Sequence, residues 1–364
     1  MYIHERKEWP NFFWDQKKVA TMLADTRYCQ GRLLGRMEVL GFRWCEEATL
    51  QSLTQDVLKT CEIEGVILDA EQVRSSIARR LGIDIGISPL VARNVDGIVQ
   101  VMMDATRNYD KPLTAERLFG WHAALFPTGR SGMHRITVGD WRGDSSGAMQ
   151  VVSGPVGREK IHFEAPVYER LEAEMDRFMN WFNTGIEMDW VMKSSLAHFW
   201  FITVHPFGDG NGRIARAISD MLLAKSERST QRFYSMSSQI QRERNAYYSV
   251  LEECQKGTLD ITSWMEWFLG CLKRAIGASE GTLETILTKA RFWESHAGES
   301  FNERQHAMMN RLLNGFEGKL TSSKWAKIGK CSQDTALRDI NNLVKRKLLT
   351  KDRAGGRSTS YILT

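Results

Sequence analysis

Residues 205–216 read HPFGDGNGRIAR: a histidine, an acid, three glycines, an asparagine and two arginines within twelve positions. The flanking sequence is helical in pattern. WVMKSSLAHFWFITV (190–204) is apolar almost throughout and reads as a buried helix, and helix formers continue from about 213 to 225. The twelve residues are therefore a loop between two helices, and the chain around them reads as mainly α. Gly208, Gly210 and Gly212 let the backbone turn with φ > 0 and leave its amides uncovered. Those amides, with the N-terminus of the following helix, make a nest for an anion. Arg213 and Arg216 lie three apart on the first helical turns, and the guanidinium fork suits phosphate oxygens. Asp209 is out of place in so positive a nest unless it meets a cation, and Mg²⁺ accompanying a nucleotide is the obvious one. His205, with an ordinary pKa near neutrality, is fitted to take a proton from a hydroxyl attacking phosphorus. The same residues singly would pass for a glycine-rich turn with surface arginines; together they specify a phosphate site.

The bulk composition sets the frame. At 364 residues, 42% hydrophobic and 26% charged, the chain reads as a globular protein of two or three domains. Its six cysteines, Cys29, Cys45, Cys61, Cys254, Cys271 and Cys331, are scattered without C-x-x-C or cysteine–histidine spacing, which speaks against zinc and against a disulfide framework. MYIHERKEWPNFFWD has no apolar run like that of a signal peptide, and no stretch has membrane-spanning character. The expectation is a cytoplasmic protein with no membrane partner. Of the net charge of +5, residues 301–364 contribute +8, so the basic character belongs to the tail.

Apolar spacing predicts helices over much of 14–52, then over 52–63, 69–81 and 90–108. Within 141–166, Met149 and Val151, then Ile161 and Phe163, alternate with polar neighbours on either side of Gly154-Pro155-Val156-Gly157, a β-hairpin pattern. Helices are expected again at 167–183, 189–204, 240–256 and 259–277. Beyond a connecting helix or linker at 278–300, three short helices (303–315, 321–328, 332–347) precede a strand, a glycine turn and a strand. That layout is a winged helix. Ser332 is a good N-cap for its third helix, and Leu337, Ile340, Leu343 and Val344 are the expected buried face. Arg338, Lys345 and Lys347, with Arg353 and Arg357 around Gly355-Gly356, suit duplex DNA; a docking or dimerisation module would look the same.

The loop resembles the signature of the Fic family, H-P-F-x-[DE]-G-N-G-R-x-x-R, and every fixed position matches. That family is one of protein adenylyltransferases, which move AMP from ATP to a Ser, Thr or Tyr hydroxyl of a target protein. The resemblance implies His205 as general base, Asp209 as Mg²⁺ ligand, and Gly210, Asn211 and Gly212 as an anion hole for the α- and β-phosphates. Arg213 and Arg216 would hold the β- and γ-phosphates, and Tyr248 would be an adenine contact or a core tyrosine. The hairpin, through Met149, Val151, Ile161 and Phe163, would be a flap that docks a target segment by strand addition. Thr60-Cys61-Glu62-Ile63-Glu64-Gly65, by itself a routine helix end with Gly65 as C-cap, resembles the family's inhibitory motif [ST]-x-x-x-E-[GN]. Glu64 would then pair with Arg216 where a γ-phosphate belongs.

The chain is thus expected to divide into an N-terminal helical segment with the inhibitory helix (1–108), a Fic helical core with its flap (109–277), a linker (278–300) and a winged-helix domain (301–364). The leading expectation is an autoinhibited adenylyltransferase using ATP and Mg²⁺, possible targets including the chain itself. Other nucleotide-dependent transfers on the same loop, among them removal of AMP, stay open. So does a nucleotide-sensing DNA-binding regulator, with a homodimer as one assembly. No P-loop motif occurs.

Overall fold

A helix that is apolar on every face is stable only inside a protein. In the computed structural model, which describes residues 1–38, 42–84, 90–143, 148–155, 157–184, 188–313, 315–316, 318–352 and 359–364, the segment Trp190–Val204 is such a helix. All of it from Val191 onward is buried. Its lysine, Lys193, gives its Nζ to the Thr184 carbonyl at 3.0 Å and lies over the rings of Trp181 and Trp190.

In chain order the helices are α1 (Gln16–Glu38), α2 (Phe42–Ile63), α3 (Ala70–Leu81), α4 (Arg93–Arg107), α5 (Ala115–Leu125), α6 (Tyr168–Asn183), α7 (Trp190–Val204), α8 (Asn211–Glu227), α9 (Met236–Arg242), α10 (Arg244–Lys256) and α11 (Thr262–Ser295). There follow α12 (Glu303–Leu313), α13 (Ser322–Ile328) and α14 (Gln333–Lys345). Among the described residues the strands form three antiparallel pairs: β1 (Arg130–Ser131) with β2 (His134–Arg135), β3 (Gln150–Ser153) with β4 (Lys160–Glu164), and β5 (Leu349–Lys351) with β6 (Tyr361–Leu363). Side-chain caps set several helix starts: Thr114 accepts from the Arg117 amide, Asp189 from Val191, and Ser332 from Thr335.

The chain forms two compact units, Met1–Glu280 and Gly281–Thr364. In the first, α8 packs along α7 and also against α2, α4 and α5, while α2 lies on α3 and α9. This brings the end of α2 to the start of α8. The stretch 278–300 is largely helical, because α11 continues to Ser295. In the second unit, Met308, Met309, Trp325, Ala336, Ile340, Leu343, Leu349 and Tyr361 form a small core beneath the strand pair. Among the described residues no helix is long and apolar enough to cross a membrane.

Three differences from the sequence reading have simple causes. The boundary expected near residue 52 is absent, because α2 runs unbroken from Phe42 to Ile63 and its apolar spacing continues across that position. Helix α5 and the β1–β2 pair fall in 109–140, where no periodicity of sufficient length marked them. Ile340 and Leu343 are buried as expected, but Leu337 is 42% exposed and Ala336 occupies the core in its place. Arg353, Arg357 and the Gly355-Gly356 turn lie outside the described residues.

Candidate active site

The loop between α7 and α8 begins at a strained residue. His205 ends α7 in the left-handed region (φ 52°), which few residues other than glycine adopt, asparagine, aspartate and histidine more often than the rest. Its amide closes the helix on the Phe201 carbonyl, and its Nδ1 lies 3.2 Å from the Ile202 carbonyl. A carbonyl can only accept, so Nδ1 carries the proton and Nε2 keeps its lone pair. Burial, partly offset by the Ile202 carbonyl, lowers the pKa of this half-buried imidazole to about 4. At neutral pH it is an uncharged base with one free nitrogen.

Gly210, at φ 84°, is the N-cap of α8 and brings no side chain to cap the first-turn amides. A Cβ there would lie 2.9 Å from the Phe126 ring. Asn211 is 2% exposed, and its amide group closes the loop on itself: Oδ1 accepts from the Phe207 amide at 2.9 Å and Nδ2 donates to the Phe207 carbonyl at 2.7 Å. Its contribution to an anion is therefore its backbone N–H, while its side chain sets the loop's shape. Asn211→Ala leaves two buried backbone groups unpaired, each costing about 1–3 kcal/mol. The expected outcome is a melting temperature lowered by several degrees; unchanged melting would remove this role.

Arg213 and Arg216 complete the nest. Arg213, nearly buried, stacks its guanidinium on the Phe126 ring at 4.9 Å. Among the described residues, Arg213 Nε and Arg216 Nη1 are buried without a hydrogen-bond partner. Buried guanidinium N–H groups left unpaired beside uncapped helix amides are what a polyphosphate would satisfy. Asp209 sits at the rim, with its carboxylate on the Ser131 hydroxyl and 3.8 Å from Arg213. No group of three or more metal-ligating side chains occurs among the described residues. Mg²⁺, however, takes one or two carboxylates plus substrate phosphates and water, and Asp209 beside a phosphate nest fits that set.

The end of α2 supplies the remaining wall. Thr60 is fully buried, and Arg216 Nε donates to its hydroxyl at 2.7 Å while Nη2 donates to its carbonyl at 2.9 Å. Nη2 also donates to Glu64 Oε1 at 2.6 Å. Burial pulls the pKa of Arg216 down, and the Glu64 carboxylate together with Tyr247 and Tyr248 brings it back to above the ordinary value. Glu64 is aimed by the helix end: Gly65, at φ 77°, donates to the Glu62 carbonyl and Val66 to that of Cys61, the paired bonds of a Schellman cap. The carboxylate then lies directly over Gly212, where a Cβ would stand 2.2 Å from Glu64 Oε1. It occupies the mouth of the nest.

The structure separates the two tyrosines of α10. Tyr247 is core, with its hydroxyl 2.9 Å from His198 Nε2. Tyr248 is 39% exposed, carries Arg244 over its ring and feels the charges of Glu64 and Arg216, which puts it at the edge of the same site. In the hairpin, Val151 pairs with Phe163 and Val152 with Ile161 across a bulge. Phe163 is not available to a target: it is 1% exposed and packs against Tyr2 and His4. Val152 and Ile161 are exposed, with Met149 and Val151 half-buried. His162 ties the hairpin to α10, Nδ1 lying 2.6 Å from Glu252 and Nε2 2.6 Å from Ser153.

Sequence reasoning missed the residues that brace the loop. His122, fully buried and stacked on Phe207, lies 3.2 Å by Nε2 from the Asp209 carbonyl, with Nδ1 3.4 Å from the Gly139 amide. Burial lowers its pKa to about 4, so it too is neutral. Arg142 reaches the His205 carbonyl. Nothing in the local sequence of either residue marks it out.

A mainly helical body thus carries, between α7 and α8, a loop of uncapped amides lined by two arginines and a histidine. Residues 112–223 match the Fic/DOC family, and residues 2–83 match a domain of unknown function, DUF4172. The chain carries a Fic domain, and the resemblance seen in 205–216 is upheld. Among its relatives, the protein adenylyltransferase Fic of Culex quinquefasciatus is 29% identical over 36% of this chain and 25% of its own length. That of Drosophila willistoni is 22% identical over 74% of this chain and 50% of its own. The chain thus spans between 18% and 50% of the length of these and similar curated relatives. The crystal structure of a Fic family protein from Desulfovibrio desulfuricans G20 superposes with a TM-score of 0.56 at 20% identity, over 97% of both chains, which shows the fold.

Proposed function

We propose that this chain is a protein adenylyltransferase held in check by Glu64. The observation that carries the reading is the pairing of a neutral histidine, its Nε2 not engaged by the Ile202 carbonyl, with a nest in which, among the described residues, Arg213 Nε and Arg216 Nη1 are buried without a partner. In this reading the amides of residues 210–213 and the two guanidinium groups hold the triphosphate of ATP. Asp209 would hold Mg²⁺, which neutralises phosphate charge. A Ser, Thr or Tyr hydroxyl of a protein substrate, docked along the exposed half of the hairpin, attacks the α-phosphorus. His205 Nε2 takes the hydroxyl proton, the new O–P bond forms, and the bond to pyrophosphate breaks. The names of the relatives, protein adenylyltransferase Fic, support the same chemistry. Intact-protein mass spectrometry of the Glu64→Gly variant, incubated with each NTP in turn, tests it. A mass gain of one AMP with ATP is expected; loss of nucleotide from a modified protein without any gain would favour the reverse reaction.

A second reading concerns the winged helix. The exposed face of α14 carries Gln333, Arg338, Asn341 and Lys345, residue types that read base edges and phosphates. The full chain is therefore expected to retard duplex DNA, with affinity falling steeply between about 50 and 200 mM salt. Arg338→Ala with Lys345→Ala should lower the affinity further. A gel shift absent at low salt would leave α14 without that role.

A further inference from the structure

We propose that Arg142 is a positioning residue that locks the strained His205 peptide in its reactive orientation and joins it to the exit of the hairpin. The inference rests on the adenylyltransferase reading above, because it assigns a partner to the base of that reaction.

The argument begins with the strain. A histidine at φ 52° keeps that conformation only where its surroundings hold it. The amide of His205 is fixed by α7, so the freedom that remains lies at its carbonyl and in the peptide to Pro206. Both are held by one residue: Arg142 Nε donates to the His205 carbonyl at 3.0 Å, and the Arg142 amide donates to the Pro206 carbonyl at 2.9 Å. The same guanidinium gives Nη2 to the carbonyl of Pro166. Pro166 lies two residues beyond the end of β4 and directly before Val167, the N-cap of α6. Arg142 is 6% exposed, and its partners are main-chain oxygens, not a carboxylate. A buried cation is costly unless several acceptors satisfy it. A residue needed only to fill space would not carry that cost.

The position also places a positive charge near the imidazole. The groups acting on His205 besides burial are the Ile202 carbonyl, Glu64 and Asp209, which favour its protonated form, and Arg142, which opposes it. Two substitutions therefore separate geometry from charge. Arg142→Lys keeps the charge and loses the fork; Arg142→Gln keeps one donor and loses the charge.

The test has two readouts. In full-length protein carrying Glu64→Gly, kcat for incorporation of α-labelled ATP should fall on the order of 10²-fold in both variants, because a displaced base costs about that much. KM for ATP should stay within about threefold, since the nest is built from other residues. Separately, NMR titration of histidine-labelled protein without nucleotide, with the His205 resonance assigned through His205→Asn, should show its pKa raised in Arg142→Gln and little changed in Arg142→Lys. Melting curves identify any variant that fails to fold, and the other variant then decides. Unchanged kcat in both variants, or a loss confined to KM, overturns the proposal, as does a His205 pKa indifferent to Arg142→Gln. If Glu64→Gly incorporates no AMP at all, the adenylyltransferase reading fails, and the titration still shows whether Arg142 acts on His205.

Discussion

Replacing His205 with alanine in a Glu64→Gly chain lowers AMP transfer by about 10³-fold, within the range ordinarily lost with a general base. ATP binding survives, because the amides of 210–213 and the guanidinium groups of Arg213 and Arg216 owe nothing to the imidazole. Alanine at φ 52° raises a second issue, since the backbone there is strained for any residue with a side chain. His205→Asn resolves it. Asparagine tolerates the left-handed region and cannot act as a base, so it should be as inactive as alanine with a better-preserved loop. Retention of the rate by either variant removes the histidine from the chemistry. The pH dependence carries its own sign. The base works only unprotonated, so kcat/KM, which reports the free enzyme, falls as pH drops through the pKa of His205. That pKa is depressed to about 4, chiefly by burial, so the acidic limb lies about two units below that of an ordinary histidine. A limb near pH 6.5 would mean that the imidazole is solvated and the pocket open.

How much of this was legible in the sequence depends on how each contact is made. His205, Asp209, Arg213 and Arg216 fall within one twelve-residue loop, and local rules about glycine, helix termini and arginine bring them to one place. The structure does bring them together. Glu64 and Arg216 are 152 positions apart, and no periodicity connects them; only the resemblance of two motifs pointed to that pair. The braces were invisible for a different reason. Arg142 and His122 act on the carbonyls of His205, Pro166 and Asp209. Every residue owns a carbonyl, so such a contact leaves no mark on side-chain identity. Phe163 and Leu337 show the limit of alternation and helical phase. Both patterns identify two faces of an element, and which face is buried depends on what packs there: Tyr2 and His4 over Phe163, and the core around Ala336 in α14.

Replacing Glu64 with glycine raises AMP incorporation by roughly 10- to 100-fold, and the geometry gives the scale. The bond lost is a charge-assisted one of 2.6 Å to a guanidinium that is 2% exposed. Such bonds contribute about 1.5–3 kcal/mol, and each 1.4 kcal/mol is a factor of ten. The substitution leaves the rest of the Arg216 anchorage in place, because Nε and the other Nη2 bond go to Thr60. Arg216 stays aimed at the nest while the carboxylate over Gly212 disappears. Steric relief and charge relief are separable: Glu64→Gln keeps the shape and loses the charge, so it should fall between the parent and the glycine variant. Stability supplies an independent check. Removing Glu64 strips a buried cation of its carboxylate, which lowers the melting temperature of the nucleotide-free chain. ATP, able to satisfy the same guanidinium, should then raise the melting temperature of Glu64→Gly by more than it raises that of the parent. Equal labelling of parent and variant by α-labelled ATP would leave the Glu64–Arg216 pair a structural ion pair and nothing more. Unequal labelling with equal thermal shifts would mean that Glu64 controls the alignment of bound ATP without competing for its site.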